Sequence, residues 1–290
     1  MAGYKEIKGF QVQTRSEDPT PYAQALADNP YAGAWGSGGS LNQARSLLSS
    51  AGIQTAALAF GGDGSPVPAA GTDTESYDGS SWTELATVNT SRYGAVGVGL
   101  YTAAIMAGGA NDPSTVSNLD VVESWNGSSW TEVADMNTAR SFHGGAGIST
   151  SALSIGGYIL PWDSPSKTAN VESWNGSAWT EKNNLNTARG ATTGFGASYT
   201  AALCTGGTAS PGPRTANTET WDGTTWTETS KLISGTPYGG GGHGAAASGR
   251  VGVGTLAGGA HKFGGGVFST PASELFSAVS YTHLTLPTKA

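Results

Sequence analysis

The stretch that decides the fold runs from Val122 to Arg140 and reads VESWNGSSWTEVADMNTAR. The side chains of Val122 to Trp125 alternate between two faces, as the period of 2 in a β-strand requires. Asn126-Gly127 predicts a type I′ turn, because both central residues of that turn need a positive φ. Ser129 to Val133 returns as the partner strand, with Trp130 as its large apolar residue. The stretch therefore predicts a β-hairpin followed by a link to another unit.

The same sequence pattern recurs at residues 74–92, 171–189 and 218–232, and a degenerate first copy lies at 34–45. The second tryptophan of each copy recurs at intervals of 47, 48, 49 and 47 residues, at Trp35, Trp82, Trp130, Trp179 and Trp226. Most units also repeat an arginine and a glutamate: Arg45, Arg92, Arg140 and Arg189, with Glu75, Glu123, Glu172 and Glu219. A Gly pair closes an apolar run in each unit: Gly61-Gly62, Gly108-Gly109, Gly156-Gly157, Gly206-Gly207 and Gly258-Gly259. A fixed period of about 50 residues predicts a tandem-repeat architecture.

Each unit predicts four short strands. The first strands are rich in Gly and Ala, which favours a strand only where backbones crowd together; they are Ser46–Ala51, Tyr93–Gly99, Ser141–Ile148, Ala191–Ala197 and roughly 240–247. The second strands are the apolar runs that end in the Gly pair, and the third and fourth form the hairpin. The fourth strands carry a Thr-Glu pair, and such a charge keeps an exposed sheet edge from pairing with another chain.

These features together resemble the kelch and galactose-oxidase-like propeller superfamily, over roughly residues 34–277. The resemblance implies an all-β, kelch-type β-propeller of four-stranded antiparallel blades. About five blades would be present, at roughly 45–87, 92–134, 140–182, 189–230 and 240–277, with a further strand at 34–38. The N-terminal strand would close a five-bladed ring, or the units would form an open arc of a larger ring, which we favour. The repeat wording and the opening MAGYKEIKGFQVQ also resemble kelch-like proteins of marine phage virions.

The two ends of the chain differ from the repeats. Residues 1–33 predict a lead-in or attachment segment, with a strand at Ile7–Thr14 and a short helix across Tyr22–Ala27. Residues 278–290 resemble a translated sequencing adapter, so we expect a non-native tail on a truncated metagenomic reading frame. The N-terminus lacks the apolar core of a secretory signal, and no apolar run reaches the roughly 20 residues of a membrane helix. We therefore expect no membrane insertion.

The amino-acid composition limits the classes of protein to which this chain can belong. The chain has 290 residues, of which 12% are charged and 45 are glycine, as in a β-rich protein with many turns. A net charge of −7 argues against binding to nucleic acid, which needs a basic face. The single cysteine, Cys204, excludes an internal disulfide framework and occupies a strand position, so we expect a small buried side chain.

A galactose-oxidase-like enzyme would need a copper site with a Tyr–Cys cross-link and histidine ligands. His143, His243 and His261 fall in different units and lack metal-ligand spacing. We therefore expect no catalytic residues, no metal and no cofactor, and we interpret His143 and His243 as structural. The repeated Arg and Glu could form a ring of ligand-binding charges, but repetition from unit to unit favours a structural role, such as an Arg bridging carbonyls or a carboxylate between sheets. The repeated tryptophans are interpreted as core anchors.

The segments between the second and third strands differ between units and would lie on one face. Loops on a repeated scaffold commonly hold binding residues. The candidates for binding a glycan or a protein are Tyr158, Trp162, Arg214, His261, Lys262 and Phe263; the alternative is ordinary variable loops with some packed aromatic residues.

The sequence thus favours a non-enzymatic recognition or structural module. The expected setting is a phage tail or appendage, in which the loop face binds a host-surface glycan or protein and the N-terminal segment attaches to other virion proteins. The alternatives are a bacterial kelch-repeat adhesin or interaction scaffold, and a galactose-oxidase-like propeller enzyme.

Overall fold

The structure is a computed structural model, and every regular element in the part of the chain that it describes is a β-strand. The described residues are 39–53, 55–64, 71–111, 117–159, 166–210, 212 and 214–232, with the strand backbones 245–247, 250–255, 259–263 and 273–276. They belong to a compact unit that begins at Gly39. The predictions for residues 1–38 and 278–290, including the strand at 34–38, lie outside the described residues.

The first two units contain ten strands. The first unit has β1 (Arg45–Ser46), β2 (Ser49–Ile53), β3 (Ala56–Phe60), β4 (Asp63–Gly64), β5 (Thr74–Tyr77) and β6 (Trp82–Leu85). The second has β7 (Val96–Leu100), β8 (Ala103–Ala107), β9 (Val122–Trp125) and β10 (Trp130–Val133). They form antiparallel sheet 1, in the order β2-β3-β5-β6, and sheet 2, in the order β7-β8-β9-β10. The short strands β1 and β4 pair with each other.

The remaining units repeat this plan. The third has β11 (Gly144–Ile148), β12 (Ser151–Ile155), β13 (Val171–Trp174) and β14 (Trp179–Lys182). The fourth has β15 (Arg189–Gly190), β16 (Thr193–Ser198), β17 (Ala201–Thr205), β18 (Thr208–Ala209), β19 (Thr218–Trp221) and β20 (Trp226–Thr229). The last has β21 (Ala245–Ala247), β22 (Arg250–Thr255), β23 (Gly259–Phe263) and β24 (Ser273–Phe276). Sheet 3 is β11-β12-β13-β14, sheet 4 is β16-β17-β19-β20 and sheet 5 is β21-β22-β23-β24. The prediction of an all-β chain of antiparallel four-stranded sheets is confirmed.

The first strands of consecutive sheets pack against one another. β2 contacts β7, β7 contacts β11, β11 contacts β16, β16 contacts β22, and β21 contacts β2. The glycines of these strands permit the close approach: a β-carbon on Gly97 would lie 2.6 Å from the carbonyl oxygen of Ser50, and one on Gly194 would lie 2.4 Å from that of Gly145. The prediction that the Gly-rich first strands crowd backbone against backbone is confirmed.

A left-handed residue precedes the first strand of each of the first four sheets. Its φ is 53° at Leu47, 62° at Gly94, 50° at Phe142 and 52° at Ala191. The amide of each donates to the carbonyl of the one before: Gly94 to Leu47 at 3.0 Å, Phe142 to Gly94 at 2.7 Å and Ala191 to Phe142 at 2.7 Å. These residues therefore link neighbouring sheets, and the first strands begin about three residues later than predicted because the backbone turns here before it extends.

Apolar side chains fill the space between neighbouring sheets. Val96, Val98 and Ile105 of sheet 2 pack with Ala152, Trp174 and Trp179 of sheet 3, and equivalent clusters join sheets 1 and 2 and sheets 3 and 4. In the hairpins of sheets 2 to 4 the two tryptophans also pair across the strands, with ring centroids 5.4 Å apart for Trp125 and Trp130, and in sheet 1 Tyr77 pairs with Trp82. Sheet-on-sheet burial of this kind is the dominant stabilising contribution.

The hairpin turn differs from the prediction. Trp125 pairs with Trp130, so the loop has the four residues Asn126 to Ser129. Gly127 has a φ of 98°, but Asn126 has no positive φ, and the type I′ prediction is therefore wrong. The Asn126 side chain closes the loop instead, because its Oδ1 accepts the amides of Ser128 at 2.9 Å and Ser129 at 3.0 Å. Such Asx-type capping competes with the two-residue turn.

The positions predicted for the first and second strands of the last unit are also wrong. Val253 pairs with His261 and Lys262 with Glu274, as Val98 pairs with Ile105 and Met106 with Glu123 in sheet 2. β22 and β23 thus correspond to the first and second strands of the other sheets, and β21 is an additional strand. Gly259 begins β23 rather than closing it. The unit offers a second glycine run at 264–266, which allowed the error.

Candidate functional site

The repeated arginines and glutamates form buried ion pairs. Arg92 Nη1 lies 2.7 Å from Glu123 Oε1, and both side chains are 0% exposed. The pairs Arg45–Glu75, Arg140–Glu172 and Arg189–Glu219 repeat the arrangement. Arg92 also donates to the carbonyls of Thr90 at 3.1 Å and Met106 at 3.2 Å. Each arginine therefore bridges its own linker to the sheet that follows.

The glutamate of each pair also binds an asparagine in that linker, a residue that the sequence reasoning missed. Glu123 accepts the backbone amide of Asn89 at 2.7 Å, its side-chain amide at 2.8 Å and the backbone amide of Thr90 at 3.1 Å. The equivalent residues are Asn42, Asn137 and Asn186. The available signal was the asparagine that stands three residues before each repeated arginine.

Burial lowers the pKa of the Arg92 and Arg140 guanidinium groups, and the nearby carboxylates of Glu123 and Glu172 oppose that shift. An arginine remains charged in proteins even so, and a buried charge needs a partner and full hydrogen bonding. The Arg–Glu–Asn clusters supply the charged partner and most of the hydrogen bonds, although Nε of Arg92 and of Arg189 has no hydrogen-bond partner among the described residues, and they hold the linker from one sheet against the next. The same arrangement repeats in all four clusters, and its buried charged groups are occupied by contacts within the chain.

The structure describes some of the predicted loop-face residues. Tyr158 is 8% exposed, its ring meets Phe142 edge-on with centroids 6.2 Å apart, and a β-carbon on Gly190 would lie 2.7 Å from its Cζ. Arg214 is exposed and forms an isolated bridge with Thr208. Tyr158 and Arg214 thus lie in the connections after the second strands of sheets 3 and 4.

The other predicted residues are placed differently. His261, Lys262 and Phe263 lie in β23, and not in a loop, because the last unit has the shifted frame described above. Trp162 lies outside the described residues. The connection of sheet 2 also reaches that of sheet 3, where Asn118 Nδ2 donates to the carbonyl of Tyr158 at 2.9 Å.

The opposite ends of the sheets carry turns of two kinds, which together form the turn face. The inner turns join first to second strands, with described residues 53 and 55, 100–102, 148–150 and 198–200; the outer turns join third to fourth strands, at 78–81, 126–129, 175–178 and 222–225. The two kinds lie side by side, since a β-carbon on Gly79 would lie 3.6 Å from Cα of Thr55. The Tyr199 amide donates to Ser151 Oγ at 3.3 Å, which joins the inner turns of sheets 3 and 4.

Exposed apolar side chains concentrate on the inner turns. In the described part of the chain, the large hydrophobic residues that are exposed are Ile53 at 60%, Leu100 at 52%, Tyr101 at 48%, Ile148 at 41% and Tyr199 at 37%. Every one of them stands at an inner turn, and each of sheets 1 to 4 contributes at least one. The sequence reasoning missed this set because single apolar residues beside a turn give no periodic signal.

Hydrogen bonds from buried tryptophans fix three of the inner turns. The indole Nε1 of the third-strand tryptophan donates to a turn carbonyl: Trp125 to Tyr101 at 3.0 Å, Trp174 to Ser149 at 2.9 Å and Trp221 to Tyr199 at 2.8 Å. A buried tryptophan N–H usually finds such an acceptor. The exposed side chains of sheets 2 to 4 therefore stand on turns whose backbone is fixed.

Groups with catalytic potential are dispersed. His143 is buried between the glycine pairs of sheets 2 and 3, and burial together with Arg140 lowers its pKa to about 3. Cys204 is buried within β17. Among the described residues, no group of three or more His, Cys, Asp or Glu side chains could hold a metal ion. Nor does that part of the chain contain a helix long and apolar enough to cross a membrane.

Comparison with known proteins adds no family. The sequence matches no family model and no curated protein.

Proposed function

We propose that the five sheets are the blades of a closed, kelch-type β-propeller. Two observations support the proposal: the first strands of sheets 1 to 5 contact one another in order, and β21 of sheet 5 contacts β2 of sheet 1. The linkers that precede sheets 1 to 4 are also bound by the sheet that follows them, through the Arg–Glu–Asn clusters. A closed arrangement of this kind would protect the inner edges of all the sheets.

We further propose that the propeller is a non-enzymatic recognition module of a phage tail or appendage, and that it binds a host-surface glycan or protein through the loop face. The observation that carries the proposal is the contrast between a scaffold built four times on one plan and connections that differ in every unit. The repeated charges serve the scaffold, so the variable connections, including that of Arg214, are left to determine specificity. Contacts of modest affinity would add up when several copies act on one surface.

The proposed ligand class can be tested with an array of purified bacterial surface polysaccharides and outer-membrane proteins, probed with the full chain. We expect binding that Arg214→Ala or Trp162→Ala weakens and that Glu132→Gln, on the exposed fourth strand of sheet 2, leaves unchanged. Binding that both loop variants leave intact would contradict a loop-face site. The virion setting is tested separately by the genes beside this one: capsid and tail genes are expected, and a bacterial surface-protein operon would favour the adhesin alternative.

A further inference from the structure

The turn face has the layout of a protein–protein interface. Its inner turns present Ile53, Leu100, Tyr101, Ile148 and Tyr199, and the outer turn of each of sheets 1 to 4 lies beside the inner turn and carries short polar side chains. Interfaces typically have such an apolar, Tyr-enriched centre that is depleted of charge and bordered by a polar rim. Contiguous exposed apolar residues also mark interaction sites on soluble proteins, whereas scattered ones do not.

The occupant is indicated by charge. The whole chain carries a net charge of −7, and its exposed glutamates include Glu84, Glu132, Glu181 and Glu228 on the fourth strands. The inner and outer turns of sheets 1 to 4, in contrast, contain two acidic residues, Asp78 and Asp222, and no basic residue. An acidic chain that approaches a copy of itself meets the least repulsion through this face.

The two acidic residues remain ionised but need not oppose each other. Turn amides lower the pKa of both: chiefly that of Ser81 for Asp78, and that of Thr225 for Asp222. The equivalent outer turns of sheets 2 and 3 begin with the uncharged Asn126 and Asn175. A twofold pairing of equal faces can therefore keep the aspartate turns apart and set one of them opposite an uncharged asparagine turn.

We propose that the turn face is a self-association surface through which two copies of this chain pair face to face. A twofold interface uses the same patch on both subunits, and a patch that is repeated from sheet to sheet supplies matching apolar residues at each end. The tethers from Trp125, Trp174 and Trp221 keep the inner turns of sheets 2 to 4 in place before association, so little ordering of their backbone opposes it. The proposal does not depend on what the loop face binds.

The repeat itself provides the test variants. In register, Leu100 stands where sheet 4 has Ser198, and Tyr101 stands where sheet 3 has Ser149. The double variant Leu100→Ser/Tyr101→Ser therefore introduces residues that the same turn already accommodates elsewhere. Tyr199→Ser, also with the precedent of Ser149, is a second variant should the first fold poorly. Glu132→Ser, an exposed change on β10 of the same sheet, is the control.

The experiment is sedimentation velocity on the full chain from about 1 to about 100 μM, the range in which an interface of micromolar affinity passes from monomer to dimer. We expect the wild type to show that transition, the double variant to raise the dissociation constant by at least about tenfold, and the control not to weaken it. Far-UV circular dichroism verifies that each variant is folded. A wild type that stays monomeric throughout, or a folded double variant that pairs as well as the wild type, overturns the proposal.

Discussion

Removing one glutamate from a single Arg–Glu–Asn cluster tests how strongly the linkers hold the sheets together. In Glu123→Ala, the buried Arg92 loses its carboxylate, and the amides of Asn89 and Thr90 lose the acceptor that they share. Breaking a buried ion pair from one side costs about 3–5 kcal/mol, because the remaining charge is left uncompensated. We expect a loss of that size in the free energy of unfolding.

A matched control separates the destabilisation caused by breaking the ion pair from the effect of simply removing one negative charge. Glu132 lies directly across from Glu123 in the hairpin but is exposed, so Glu132→Ala is a matched control with an expected change below about 0.5 kcal/mol. The double variant Glu123→Ala/Arg92→Met removes both charges, and we expect it to be less destabilised than the sum of the single variants. Urea unfolding followed by tryptophan fluorescence measures the wild type and the four variants Glu123→Ala, Arg92→Met, Glu132→Ala and the double variant. If Glu123→Ala behaves like Glu132→Ala, or if the double variant shows the full sum, the linkers are not held as described.

Three further predictions concern single positions. Burial and Arg140 lower the pKa of His143 to about 3, so the neutral imidazole favours the fold, and the stability that it contributes above pH 6.5 is lost as the pH falls towards 3. In His143→Ala, which copies Ala95 of sheet 2, the difference in unfolding free energy between pH 7 and pH 5 should therefore shrink by roughly 2 kcal/mol. An unchanged difference would contradict a buried neutral imidazole. Gly97→Ala, which would bring a β-carbon to 2.6 Å from the Ser50 carbonyl oxygen, should cost about 1–3 kcal/mol, whereas Gly71→Ala, with its nearest atom at 3.4 Å, should cost far less in the same urea titration. Asn126→Ala should lose about 1 kcal/mol in a thermal melt through two uncapped amides, whereas Asn126→Asp, which copies Asp78 and Asp222, should stay near the wild type at pH 7; equal melting of the two variants would show that the cap is unimportant.

The repeat made much of the fold predictable from sequence. Second strands such as β8 and hairpins such as β9–β10 follow from apolar runs and from tryptophans at a fixed spacing, because burial of one sheet against the next requires those residues in every unit. The Gly-rich first strands also follow, since their composition makes sense only where backbones crowd.

Other features depend on contacts that a single stretch does not encode. The Asn126 side chain takes two turn amides, and this choice over a two-residue turn depends on the pairing of Trp125 with Trp130. In the last unit, two glycine runs compete for one role, and the cross-strand register of Lys262 with Glu274 decides between them. The exposed apolar residues at the inner turns form a set only because the first and second strands end beside them, so they can be recognised only when the ends of the strands are known.

The central proposal is that the sheets close into a five-bladed ring, and one set of distances tests it directly. Nitroxide labels would be placed on the third residue of the outer turns, at Ser80, Ser177 and Thr224, in a Cys204→Ser background and diluted with unlabelled chain. In a closed ring of five, sheet 1 is separated from sheet 3 and from sheet 4 by one blade each. Electron–electron double resonance should therefore give equal distances for the pairs Ser80–Ser177 and Ser80–Thr224. A Ser80–Thr224 distance clearly longer than the Ser80–Ser177 distance would show an open arc and would contradict the closed propeller.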